Sequence, residues 1–296
     1  MNDKILSNEI MKLEAKKLRP QAPIILIYGP PASGKSTLAS EFPDTLFFTT
    51  ETPFALENEK CGYRKHLEEL WDFYDCTHNL IKDFKKEKLK AREEKRRFIP
   101  PIKTIVFDNL TGLEGLIRDY LYLEDSRDYD NFTFGNRAKA IFGQVCHKSI
   151  KSHDPNKKLI PASSVLHTLE KIRNSFNITI ILIAHVTLKE VGLDENKNPI
   201  MKLAPNIIKS FNDVIYTLVD EVIYLDKETP PSGSKSIKET IIMKSGNNKP
   251  NYMAKSKFGL PDVSPFKKDE GFKTLYQYWP DWYSLRNKNN EKTKND

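Results

Sequence analysis

The sequence predicts an α/β domain with a mostly parallel sheet flanked by helices. Three observations lead there. Residues 24–28, 104–107 and 178–184 are short, β-rich, almost wholly apolar runs, as strands buried on both faces require. Segments with helical spacing alternate with them, the pattern of a helix-covered parallel sheet. A Gly- and Pro-rich turn joins the first run to a helix.

Residues 1–22 read as a polar, Lys-rich lead-in ended by Pro20 and Pro23. The first strand covers 24–28, and a helix follows the turn at 35–41. A second strand spans 46–49. Residues 64–97 carry helical spacing through Leu67, Leu70, Trp71 and Tyr74, then Leu80, Ile81 and Phe84. After Phe84 the segment is almost entirely charged, so its end is expected to project as a solvated arm, inserted at 78–99. Pro100 and Pro101 close it. The third strand, 104–107, ends at Asp108, and a helix covers 112–123. An insertion at 126–160 holds one helix near 137–150. Another helix at 163–176 precedes the fourth strand, 178–184. Residues 186–203 form a β-hairpin turning at 194–198. Pro205 starts a helix reaching 218. Two strands, 221–225 and 240–244, are joined by a PPSGS loop. The expected division is a lead-in at 1–22, a core at 23–262 and an extension at 263–296 ending in a basic tail.

With 296 residues, of which 39% are hydrophobic and 29% charged, the chain can bury a sizeable core. No apolar stretch approaches the roughly 20 residues of a membrane span. The first residues lack a secretory pattern, so a cytoplasmic protein with no membrane partner is expected. Three cysteines make no disulfide framework. Cys61, Cys76 and His78 lack paired zinc-ligand spacing. The net charge of +7 suits a polyanionic partner. Between Lys82 and Arg97, nine Lys/Arg face four Asp/Glu, and Lys85, Lys86, Lys88, Arg96 and Arg97 are candidate nucleic-acid contacts. Further basic stretches lie at 147–158 and in the tail.

Residues 29–36, GPPASGKS, match G-x-x-x-x-G-K-[ST] at every fixed position, between a buried strand and a helix. Gly29, Pro30, Pro31, Ala32, Ser33, Gly34, Lys35, Ser36 and Thr37 would cradle phosphates with backbone N–H groups and the helix N-terminus. Lys35 reaches the terminal phosphates, and the Ser36 hydroxyl is a Mg²⁺ ligand. ATP and Mg²⁺ are therefore the expected cofactors.

Three strand tips complete a hydrolytic site. Asp108 would hold the Mg²⁺ shell, a role its neighbour Asn109 can share. Glu51, after the second strand, is placed to polarise an attacking water. His185, after the fourth, can hydrogen-bond the terminal phosphate and report it to the hairpin. Open α/β sheets bind ligands at this carboxyl edge.

On these residues, with LFFTTETP at 46–53, TIVFDNLTGL at 104–113, IILIAHV at 180–186, DEVIYL at 220–225 and AKSKFGLP at 254–261, the chain resembles the RecA-like branch of P-loop ATPases. More closely it resembles phage-encoded, AAA-type RecA-core ATPases of single-strand annealing and recombination. The resemblance implies a RecA-like P-loop NTPase core and a DNA-stimulated ATPase active as a homo-oligomer. It implies single-stranded DNA as partner, and a single-strand-binding or replication protein beside it. It makes 186–203 the DNA-facing segment, with Lys189 and Lys202 as contacts. Lys255 and Lys257 would reach a neighbouring chain's terminal phosphate, with Lys244 a weaker candidate. The family often has Arg where Lys257 stands, and lysine lacks the planar fork. The 186–203 segment balances Lys189, Lys197 and Lys202 against Glu190, Asp194 and Glu195, whereas DNA-facing loops are usually basic. Tyr129, Phe132 and Phe134 are candidate base-stacking residues.

Two other functions fit the loop. A nucleotide kinase would need an Arg-rich lid, yet beyond Arg137 only Arg173 and Arg286 occur. A loader or accessory module would bind ATP and act on a protein partner, docked by the charged arm.

Overall fold

A computed structural model describes residues 21–51, 62–124, 141, 164–228, 240–246 and 251–279. The lead-in through residue 20, the 126–160 insertion apart from Ile141, the PPSGS loop and the tail lie outside the described residues, as do Tyr129, Phe132 and Phe134. Ala22–Tyr278 forms one compact unit.

Six strands run parallel: β1 (Ile24–Gly29), β2 (Thr45–Thr49), β3 (Tyr63–His66), β4 (Thr104–Asp108), β5 (Thr179–Leu193) and β7 (Glu221–Glu228). Strand β6 (Pro199–Pro205) pairs antiparallel with the outer half of β5. Strands β8 (Thr240–Lys244), β9 (Lys255–Ser256) and β10 (Val263–Phe266) are antiparallel additions. The order is β10-β8-β7-β1-β5-β4-β2-β3. The helices are α1 (Lys35–Ser40), α2 (Leu70–Glu93), α3 (Leu110–Glu124), α4 (Val165–Phe176), α5 (Lys209–Leu218) and α6 (Gly271–Tyr276). The architecture is a mostly parallel sheet flanked by helices, as the strand pattern predicted, and is that of the P-loop NTPase core the resemblance implied.

Every residue of β1 is buried, as the apolar run requires. Alternate residues serve opposite faces. Ile24, Leu26 and Tyr28 join Phe48, Phe107 and Leu182 in a cluster with residues of α2, α3, α4 and α5. Ile25, Ile27, Ile181 and Ile183 are buried as well, and α1 packs on β1 and β5. Among the described residues, no helix is long and apolar enough to cross a membrane.

Four expectations change. Residues 63–66 are an edge strand paired with β2, and the helix starts only at Leu70, behind a capping box of Glu69 and Asp72. The polar sequence YRKH hid this strand, whose partner lies distant in sequence. The charged end of α2 is solvent-exposed but not free. Phe84 is buried against Phe98 and Phe176, and Ala91 is buried too. Pro205 closes β6 instead of opening a helix, and α5 begins at Lys209. A proline lacks the N–H that a continuing ladder needs, so a strand end suits it. The sheet also continues past residue 262, because β10 pairs with β8 and α6 packs on α1.

Candidate active site

At β1 the sheet order divides. Strands β5, β4 and β2 lie on one side, and β7, β8 and β10 on the other. The loop after β1 therefore sits at a topological switch point, where open α/β sheets leave a crevice. Ala32 and Gly34 take positive φ values of 58° and 92°, which turns the loop tightly into α1. A Cβ on Gly29 would collide with the Leu225 carbonyl, so only glycine lets this loop leave the sheet between β1 and β7. No side chain caps α1, and its first turn carries no acid.

Lys35 is buried, and its Nζ donates to the carbonyls of Gly29 and Pro30 at 3.0 and 2.7 Å. Burial lowers its pKa, opposed by the charges of Asp108 and Glu51. The buried Ser33 hydroxyl has no hydrogen-bond partner. An orphaned hydroxyl, a lysine folded on its own loop and uncapped amides form a donor set suited to phosphate oxygens. Ser36 donates from Oγ to Asp108 Oδ2 at 2.6 Å. A hydroxyl beside a carboxylate offers the hard oxygen ligands that Mg²⁺ takes. Asp108 has its pKa raised, first by burial and further by Glu51, while Ser36, Lys35 and His185 oppose the shift.

Asn109 organises the outer half of the site. It is buried, and its Oδ1 accepts from the Gly112 N–H at 2.9 Å, holding the first turn of α3. Its Nδ2 donates to Glu51 Oε1 at 2.6 Å and lies 3.2 Å from His185 Nε2. The amide orientation is fixed from both ends, since the Gly112 N–H must donate and the carboxylate must accept. Glu51 Oε1 and His185 Nε2 stand 3.6 Å apart. The Thr50 hydroxyl, 3.3 Å from both the N–H and the carbonyl of Asn109, ties the end of β2 to the end of β4. The structure thus gathers Lys35, Ser36, Asp108, Glu51 and His185 at one edge, with Asn109 among them. A carboxylate there can accept a proton from water, and the lysine can neutralise transferring phosphate.

Sequence reasoning gave Asn109 only a shared role, although it links Glu51 to His185. It missed Lys227, Ile241 and Lys268, which line a cavity of about 410 Å³ with Ala32 and residues 34–37. Nothing local marks these three, because the β7-β8-β10 order brings them to the loop.

The remaining candidates lie elsewhere. Lys255 Nζ donates to the carbonyls of Tyr216 and Val219 at 2.9 and 2.6 Å, and Lys257 Nζ meets Asp220 Oδ1 at 2.9 Å. Asp220 also accepts the Ile24 N–H, which places this group at the amino end of β1, opposite the loop. Lys244 pairs with Asp226 at 2.8 Å. Lys88 donates to the Ser175 carbonyl at the end of α4, and Arg96 pairs with Glu87 and Glu94. Lys85, Lys86 and Arg97 are exposed along the same stretch. This stretch also ends at the amino edge. Lys189 donates to the Ile207 carbonyl at 2.7 Å, and Lys202 lies opposite it in the ladder.

The hairpin has two unlike faces. Val186, Leu188, Glu190, Met201, Leu203 and Pro205 share one by register, and Thr187, Lys189, Lys202 and Ala204 the other. Leu188, Leu193 and Met201 are exposed apolar side chains. Tyr28 anchors the root, donating to the carbonyls of Leu203 and Met253 at 3.1 and 2.7 Å.

Residues 21–154 match a family model described as an AAA domain. The matched stretch includes the phosphate loop, Glu51 and the Asp108–Asn109 pair, and stops before β5 with His185. No curated protein matches the chain. Over the matched stretch the chain is similar to AAA-type P-loop ATPases, which supports nucleotide binding and ATPase activity.

Proposed function

We propose that this protein is a Mg²⁺-dependent, RecA-like ATPase that binds single-stranded DNA and promotes annealing or recombination as a homo-oligomer. The gathering of Lys35, Ser36, Asp108, Glu51 and His185 around one loop carries the ATPase part. Ser36 and Asp108 would hold Mg²⁺, which neutralises charge on the phosphates. Lys35 would leave its two carbonyls for the phosphate oxygens. Glu51, oriented by Asn109, would take the proton of the attacking water. His185 would report the terminal phosphate to the hairpin, because its carbonyl accepts the Asn206 N–H at 2.8 Å just beyond the hairpin's return strand. Hydrolysis would then change how the hairpin holds its partner. The exposed basic end of α2 supports DNA as a partner of the chain, while the hairpin's own charges balance and Lys189 donates to the Ile207 carbonyl. Lys257, with a side chain 63% exposed, is the residue a neighbouring chain could meet.

The test is ATP hydrolysis with Mg²⁺, alone and with single-stranded DNA, double-stranded DNA or RNA. Stimulation by single-stranded DNA is expected. Hydrolysis indifferent to every nucleic acid would remove the DNA part and leave the ATPase.

One observation favours a second reading, a loader or accessory module acting on a protein. The hairpin exposes Leu188, Leu193 and Met201, and apolar patches mark protein contacts more than DNA contacts. The kinase reading gains no such support. Arg173, from its sparse Arg set, is buried against Asp220, away from the loop.

A further inference from the structure

Apart from Lys35 and Ser36 of the phosphate loop itself, the catalytic candidates come from the β5-β4-β2 side. The cavity beside the loop opens on the other side, toward β7, β8 and β10. Among the described residues its lining holds three lysines, Lys35, Lys227 and Lys268, and no carboxylate. Lys227 and Ile241 are cross-strand partners of β7 and β8, so they present one face together. Ile241 also approaches the loop closely, since its Cδ1 would lie 3.2 Å from a Cβ on Gly34.

Lys268 belongs to a positioned turn. Glu41, just after α1, accepts the N–H groups of Asp269 and Phe272, each at 2.9 Å. Phe42 packs on Phe272 with ring centroids 4.8 Å apart. A Cβ on Gly271 would collide with Leu38 of α1. The helix that follows the phosphate loop therefore holds the turn that carries Lys268. These features fix the backbone just after Lys268, whose exposed side chain lines the cavity.

We infer that Lys227 and Lys268 grip, in cis, the diphosphate part of the nucleotide, on the flank of the loop away from Asp108 and Glu51. The inference rests on the nucleotide reading above and adds its geometry. The terminal phosphate must face Asp108 and Glu51, so cations on the opposite flank meet the phosphates nearer the sugar. ATP and ADP share these phosphates. Both lysines therefore contribute equally to substrate and product affinity and little to the chemical step.

Calorimetric titration of the full chain with Mg-ATP and Mg-ADP tests this, using Lys227→Ala, Lys268→Ala, the double variant and Lys268→Arg. Each alanine variant should lose roughly tenfold affinity for both nucleotides, the size of one charge-assisted hydrogen bond at a part-exposed site. Turnover at saturating ATP should stay within about twofold of wild type, and Lys268→Arg should restore binding. Thermal melting without nucleotide reports whether each variant folds. Unchanged ADP affinity in the folded double variant overturns the inference, whether or not ATP affinity falls. A wild-type chain that binds neither nucleotide instead overturns the nucleotide reading, which separates the two failures.

Discussion

The two edges of this sheet both carry charged groups, and they use them in opposite ways. At the amino edge Arg173 donates to Asp220 at 2.7 Å, Asp220 also takes Lys257 and the Ile24 N–H, and Lys255 is spent on two carbonyls. Glu221 accepts from Ser256, Lys257 and Phe258 through one oxygen. Arg173 and Asp220 are less than a tenth exposed. At the carboxyl edge, about 20 Å away along the six residues of β1, Lys35 makes do with its own loop, Ser33 has no partner, and Glu51 is 68% exposed at the side chain. Charges that brace a fold are closed off by fixed partners. The candidate catalytic groups instead lean on their own loop or stay exposed, the state from which a group can exchange a protein partner for a ligand.

Substitutions at matching positions sharpen the contrast. Lys35→Ala should abolish hydrolysis and leave the melting temperature near wild type, read by phosphate release and by calorimetry. Hydrolysis retained in this variant would remove the loop from the chemistry. Glu51→Gln should bind ATP and turn over about 10²-fold more slowly or worse, the size of a lost general base. Wild-type turnover there would move the base to another residue. Arg173→Leu should do the reverse of Lys35→Ala. It strands Asp220 as a buried, under-paired charge and costs about 3–5 kcal/mol in denaturant unfolding, with turnover per folded molecule preserved.

Glu221 gives the amino edge a pH signature. Burial pushes its carboxyl up to about 7, with Asp220 adding to the shift. Between an ordinary value of 4.5 and about 7, the folded chain holds a proton that the unfolded chain has released, so stability falls as pH rises through that window. The fall approaches about 3 kcal/mol. Glu221→Gln keeps an acceptor for its three donors and should flatten the decline, measured by unfolding at pH 4, 6 and 8. The smallest effect belongs to the basic end of α2. Neutralising Lys85, Lys86 and Arg97 should weaken single-stranded DNA binding and lower its salt slope by roughly 0.7 for each phosphate the variant no longer neutralises. A slope left unchanged would make that surface a solvated helix end.

Legibility followed locality. The turn at 29–36 was readable because every group it needs lies within eight residues, between a strand and a helix fixed by their own composition. Asp108, Glu51 and His185 were readable as polar residues ending apolar runs. Strand β3 was not, because YRKH has no apolar pattern and becomes a strand only beside β2. The domain end expected at residue 262 missed β10 and α6 for the same reason, since their partners are β8 and α1.

The sequence by itself determined the buried strands, the phosphate loop and the polar residues at the strand tips, because short-range composition and spacing encode them. Only the tertiary structure decided which tips meet. Strand order set β5 between β1 and β4, turned Asn109 into the link between Glu51 and His185, and brought Lys227 and Lys268 to the loop. Such neighbours follow from pairing between distant segments, and pairing leaves no mark on the residues it unites until the chain has folded.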